Sequence, residues 1–114
     1  MKSILKLILS LLITLSAFSS FSQKVYISEY RSNADVKIYV TDYRSNADLI
    51  VYKCDYRSNA KGNEGLWYFC EYRSNADKKI YFTDYRSNAD VKIYFTDYRS
   101  NAGWKENSKK HLFY

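Results

Sequence analysis

The chain has 114 residues, a formal net charge of +6, no proline, three glycines and thirteen tyrosines. Its length bounds it to one domain with a thin core, and its wealth of tyrosine with no proline and little glycine favours strands over disorder. The basic excess is too mild for a dedicated nucleic-acid binder, so nucleic acid is not an expected partner.

Residues 1–22 read as a secretory signal peptide. Lys2 and Lys6 form a basic start, Leu7 to Leu15 is almost continuously apolar, and Ser20 and Ser22 stand three and one residues before a cut ahead of Gln23. Ala17 and Ser19 mark a competing cut. The apolar run is shorter than the roughly 20 residues a membrane span needs, no later stretch approaches that length, and no cysteine stands where a lipid anchor would need one. The expected mature chain is therefore a soluble exported domain over 23–114, periplasmic or secreted. Loss of the two leader lysines lowers its formal charge from +6 to +4.

The remainder is a tandem repeat, and repeats of this length signal stacked or closed architectures. The string YRSNA begins at Tyr30, Tyr43, Tyr56, Tyr72, Tyr85 and Tyr98, at spacings of 13 residues except for one step of 16. The three extra residues fall within 61–66, KGNEGL, which holds two of the three glycines. Between these strings lie alternating segments such as VKIYVTDY, whose period of two and β-branched content predict strands. In chain order they are Val25–Tyr30, Val36–Tyr43, Leu49–Tyr56, Trp67–Tyr72, Lys79–Tyr85, Val91–Tyr98 and His111–Tyr114. Ser and Asn of each YRSNA supply tight-turn chemistry.

One such repeat cannot bury its own faces, so the copies must pack on one another. The fold class is all-β: a small closed repeat domain of about seven short strands. The pattern leaves three arrangements open, namely a short-coil solenoid, a closed meander and an entwined closed structure.

The candidate site residues are repeat residues. Arg31, Arg44, Arg57, Arg73, Arg86 and Arg99 each follow an acid (Glu29, Asp42, Asp55, Glu71, Asp84, Asp97) by two positions, so a continuing strand would place acid and guanidinium on one face. Ion pairing is the expectation, with anion binding as the competitor. The tyrosines are expected to fill the core in columns, against an alternative as an aromatic platform for sugars or bases.

Cys54 and Cys70 occupy equivalent places in adjacent repeats, where the other copies carry Ser28, Thr41, Thr83 and Thr96. In an exported protein a disulfide between them is a candidate, closing a loop of about 16 residues and contributing roughly 3 kcal/mol. Asp35, Asp48, Asp77 and Asp90 recur at one position and read as solvated turn acids. With one histidine, no CxxC and only repeat-bound serines, the sequence offers no catalytic constellation, metal site or cofactor site. The partner is left open, and a monomer is the simplest expectation.

The ordered set KVY, repeated YRSNAD, AKGNEGLWYF, DKKIYF and AGWKENSKKHLFY, spanning Lys24 to Tyr114, closely resembles the septoil-knot domain family of bacterial exported proteins. The resemblance implies an all-β domain whose backbone forms a deep seven-crossing torus knot, a rare topology because folded chains seldom thread loops. It implies no activity and carries over no functional residue. On this view the insertion holding Gly62 and Gly65 gives slack for threading or passes a loop around another segment. The expected role is a non-enzymatic structural or interaction module with high kinetic stability, or else a binding module for anionic or carbohydrate polymers.

Overall fold

The computed structural model describes residues 23–114; the signal peptide expected over 1–22 lies outside them. Six strands carry the fold: β1 (Lys24–Ile27), β2 (Val36–Val40), β3 (Leu49–Lys53), β4 (Leu66–Phe69), β5 (Lys78–Phe82) and β6 (Val91–Thr96). A two-residue β7 (Gly103–Trp104) and a 3-10 helix, Asn107–Phe113, complete the chain. The strands are shorter than the alternation suggested, and in four of the six a hydroxyl makes the bend at the strand end, whereas β3 and β4 run into Cys54 and Cys70. Thr41, Thr83 and Thr96 accept hydrogen bonds from the backbone N–H of Tyr43, Tyr85 and Tyr98 at 3.2, 3.3 and 3.2 Å, and Ser28 Oγ donates to the Tyr30 carbonyl at 3.0 Å. Such local bonds compete with the sheet ladder and bend the chain away from it. Each Arg-Ser-Asn then forms one 3-10 turn, Arg31–Asn33 through Arg99–Asn101.

The sheet order is β4-β1-β5-β2-β6-β3, with β3 also paired to β4, so the six strands close into a parallel barrel. β7 lies antiparallel against the first half of β3, Leu49↔Trp104 and Ile50↔Gly103, in the gap between β3 and β4. Counting β7 in that gap gives seven seats around the ring, and every consecutive pair of strands is two seats apart. β5, β6 and β7 therefore fill, on a second lap, the places left between β1, β2, β3 and β4. This is the entwined arrangement of the three left open; a solenoid would have paired each repeat with the next.

At each step around the ring the register shifts by two repeat positions in one sense, as in Val25↔Lys78, Val36↔Ile80 and Ile38↔Val91. A constant shift of this kind is the shear a barrel needs to close. It brings equivalent repeat positions to one level. The middle level is Val25, Ile38, Val51, Trp67, Ile80 and Ile93, each with no exposed surface. This level is thus aliphatic with one tryptophan, and the tyrosine columns expected in the core stand outside. Tyr26, Tyr39, Tyr52, Tyr68, Tyr81 and Tyr94 are half-buried on the outer wall. A barrel of six strands has an interior too narrow for a layer of six phenol rings.

Every connector between strands of one lap passes over a strand of the other, and four of these crossings carry the same fastening. Asp35 donates its N–H to the Lys79 carbonyl at 2.7 Å and accepts from the Lys79 N–H through Oδ2 at 2.9 Å. Asp48 does the same to Lys92, Asp77 to Lys24 and Asp90 to Lys37. The recurring aspartates are therefore clamps across the winding, not solvated turn acids.

The two ends of the barrel differ. At one, Phe113 is buried against Trp67 and Trp104, with ring centroids 5.2 and 5.9 Å away, and Gln23 Nε2 donates to its carbonyl at 3.0 Å. The closing HLFY, expected as a strand, is instead part of this helical plug. The inserted segment grips the plug: Asn63 Nδ2 donates to the Lys110 carbonyl at 2.9 Å, and Trp104 Nε1 donates to the Asn63 carbonyl at 2.9 Å. At the other end Phe69, Phe82 and Phe95 alternate around the ring with Ile27, Val40 and Lys53. The Lys53 ammonium lies 4.4 Å from the Phe95 centroid and 5.5 Å from that of Phe69.

Candidate functional site

The six Arg-Ser-Asn turns form a belt around the barrel. Because each turn follows an equivalent strand end, with a hydroxyl in four copies and a thiol (Cys54, Cys70) in two, its side chains repeat their setting: Tyr30, Tyr43, Tyr56, Tyr72, Tyr85 and Tyr98 are 66–70% exposed. Large aromatic side chains left this open, six times over, are the notable feature of the surface.

Beside them all six candidate arginines, Arg31, Arg44, Arg57, Arg73, Arg86 and Arg99, are exposed. The expected pairing with the preceding acids is not made. Among the described residues the ion pairs are Lys109–Asp48 at 3.1 Å and Lys110–Glu64 at 2.6 Å, and neither involves an arginine. The period-two argument fails because every strand has already ended before its acid, at a hydroxyl bend in four repeats and at a cysteine in two, so acid and arginine no longer share a pleated face. Three of the guanidiniums instead act on a neighbouring repeat. Arg73 Nη2 donates to the Asn33 carbonyl at 3.3 Å, and the fields of Arg57 and Arg99 reach Cys70 and Cys54.

Neighbouring turns leave notches between them. One of about 170 Å³ is lined by Arg57, Tyr68, Cys70, Glu71, Tyr72 and Asn75. A larger cavity of about 420 Å³, at the seam where the insertion breaks the repeat, is lined by Glu64, Leu66, Arg99, Ser100 and Ala102.

Cys54 and Cys70 are both free. The register explains why: Lys53 pairs with Trp67, so the residue level with Cys54 is Tyr68, and Cys70 lies two positions further along. Burial, the largest influence, pushes both thiols above the ordinary value of 9.0, and the nearby Arg99 and Arg57 only partly oppose it. A thiol kept protonated in this way is a poor nucleophile. Among the described residues no three metal-ligating side chains converge, and no helix is long and apolar enough to cross a membrane.

Sequence reasoning named the arginines but missed that the tyrosines beside them face solvent. It also missed the seam cavity, whose signal was the break in repeat length at 61–66.

A parallel ring wound in steps of two seats and belted by identical turns defines a class of small interlocked-repeat barrels. A family model for the 7(1) septoil knot domain matches residues 22–105. The chain belongs to the septoil-knot domain family, as its motifs suggested. No curated protein and no solved structure matches it.

Proposed function

We propose that the protein is an exported, non-enzymatic interaction module, in which a slow-unfolding knotted barrel holds six Tyr-Arg-Ser-Asn turns out for a carbohydrate or anionic polymer. The observation that carries this reading is the belt itself: six tyrosines 66–70% exposed beside six arginines without an ion pair among the described residues. A purely architectural repeat has no use for so much open aromatic surface. Tyrosine rings offer flat apolar faces with a polar tip, and guanidiniums match carboxylate and sulfate oxygens in pairs of hydrogen bonds.

The preceding acids balance the belt arginines in number, so attraction to a polymer is short-ranged and its salt dependence mild. Repetition around the ring lets weak contacts add through avidity. Export rests on the leader-like sequence of 1–22, and slow unfolding suits a compartment where rescue of unfolded chains is limited.

Thermal denaturation in the presence of a panel of neutral and acidic polysaccharides tests the binding half, since a ligand of the native state raises the midpoint as its concentration passes Kd. A midpoint unmoved by every polymer would remove it. Denaturant-jump unfolding tests the other half, and an unfolding rate typical of an unknotted domain of this size would remove that.

A further inference from the structure

We propose that the seam cavity is a binding site for a hydroxylated carboxylate, namely a uronate residue of an acidic polysaccharide. The inference rests on the belt reading and assigns one site beside it. The six turns are alike in sequence, yet the notch beside Arg57 holds about 170 Å³, narrowed by Tyr68 and Tyr72, whereas the seam holds about 420 Å³. Small-molecule sites typically occupy about 300–1,000 Å³. The seam alone of these two is large enough.

The difference comes from the insertion. The first outward position of the strand is lysine in β1, β2, β5 and β6 (Lys24, Lys37, Lys79 and Lys92), but it is Leu66 in β4, directly after the inserted loop. Leu66 and Ala102 therefore give this cavity apolar walls. Two charges line it, and they are not equivalent. The Glu64 carboxylate is engaged by Lys110 at 2.6 Å, while Arg99 makes no ion pair among the described residues.

A ligand thus meets an uncompensated guanidinium, the Ser100 hydroxyl and the remaining acceptor capacity of Glu64. A planar carboxylate fits the guanidinium fork. Sugar hydroxyls suit Ser100 and Glu64, and the apolar walls take the carbon face of the ring. The carboxylate of Glu64 disfavours a more highly charged phosphate, and a neutral sugar leaves the guanidinium without a counter-charge. Tyr98, 70% exposed and adjacent to Arg99, offers a ring to the next sugar of the chain.

The near-identity of the turns supplies the control. Trigalacturonate, its methyl ester and free galacturonate are titrated into the folded full chain, into Arg99→Gln and into Arg44→Gln, with the Ser100 and Ala102 amide resonances as readout. Arg99→Gln should weaken the trisaccharide by about tenfold or more, Arg44→Gln by less than about twofold, and the ester should bind the parent about tenfold more weakly than the acid. Equal losses from the two variants would overturn the seam site and leave the belt. An ester that binds as well as the acid would overturn the carboxylate assignment, and a monomer that binds as well as the trimer would overturn the polymer. If none of the saccharides binds, this inference fails; if other glycans in the thermal panel still bind, the belt reading survives it.

Discussion

The four aspartate crossings and the seam fasten the same winding in different ways. At the crossings a single residue per repeat suffices, because each connector lies over a complete strand whose backbone it can bond on both its N–H and C=O sides. At the seam Lys61 stands in place of the aspartate, and a loop with two left-handed glycines takes over. Its Asn63, buried to 6% exposure, bonds both Trp104 and Lys110. The lesson is that repeated structure is held by small identical bonds, whereas the place where the second lap meets the chain end is held by a few residues that occur once.

That contrast is sharpest at the glycines. Gly65 has φ +82 and a side chain there would come within 2.3 Å of the Ile50 carbonyl oxygen, whereas Gly62 has φ +69 with open space around it. Gly65→Ala should destabilise by about 3 kcal/mol or more, since β3 backbone cannot yield, and Gly62→Ala by about 1 kcal/mol from conformation alone. Urea unfolding midpoints of the two variants test this, and equal losses would show that the seam is not tight.

Asn63→Ala comes next. It strips the Lys110 carbonyl of its partner and one of two acceptors from the Trp104 indole, for an expected loss of about 2 kcal/mol. The same loop bears on folding: deletion of Lys61 to Asn63 should slow refolding more than it lowers equilibrium stability, and an unchanged refolding rate in stopped-flow measurements would refute a role in threading. Smaller again are the clamps. Asp35→Ala and Asp90→Ala should each cost about 1 kcal/mol and cost it alike, and Asp48→Ala somewhat more because Lys109 also pairs with it. Markedly unequal values for Asp35 and Asp90 would break the equivalence of the crossings.

The smallest effect is one of pH. Both thiols titrate higher in the folded protein than the ordinary 9.0. Their protonated forms therefore favour the native state fully below that value, and this contribution is lost as pH rises through the folded-state value. The Cys54→Ser/Cys70→Ser double variant should lose less stability between pH 8 and pH 10 than the parent; parallel curves would count against it.

Much of this was legible in the residues. Period-two alternation gave six of the strands, the YRSNA spacing gave the turns, and the motif order gave the family. The winding was not legible, because each strand's neighbours in the sheet lie mostly three and four repeats away and periodicity speaks only of the next one. Tyr39 and Ile38 mark two plausible core faces, and only the narrowness of a six-strand barrel decides for isoleucine. His111 to Tyr114 carries no alternation long enough to distinguish a strand from a plug that buries Phe113 and packs Leu112 against the core. At the candidate site the arginines were visible, but the bend made by Thr41 and its equivalents, which separates them from their acids, was a matter of local bonding that spacing does not report.

The two-seat step also limits how such a sequence can evolve. A solenoid lengthens or shortens by single copies, because each addition stacks on the last. Here an even number of places would return the chain to an occupied position after one lap and leave the alternate positions empty. Copy number must therefore change in pairs, and a chain that gained a single copy would have no free seat for its second lap.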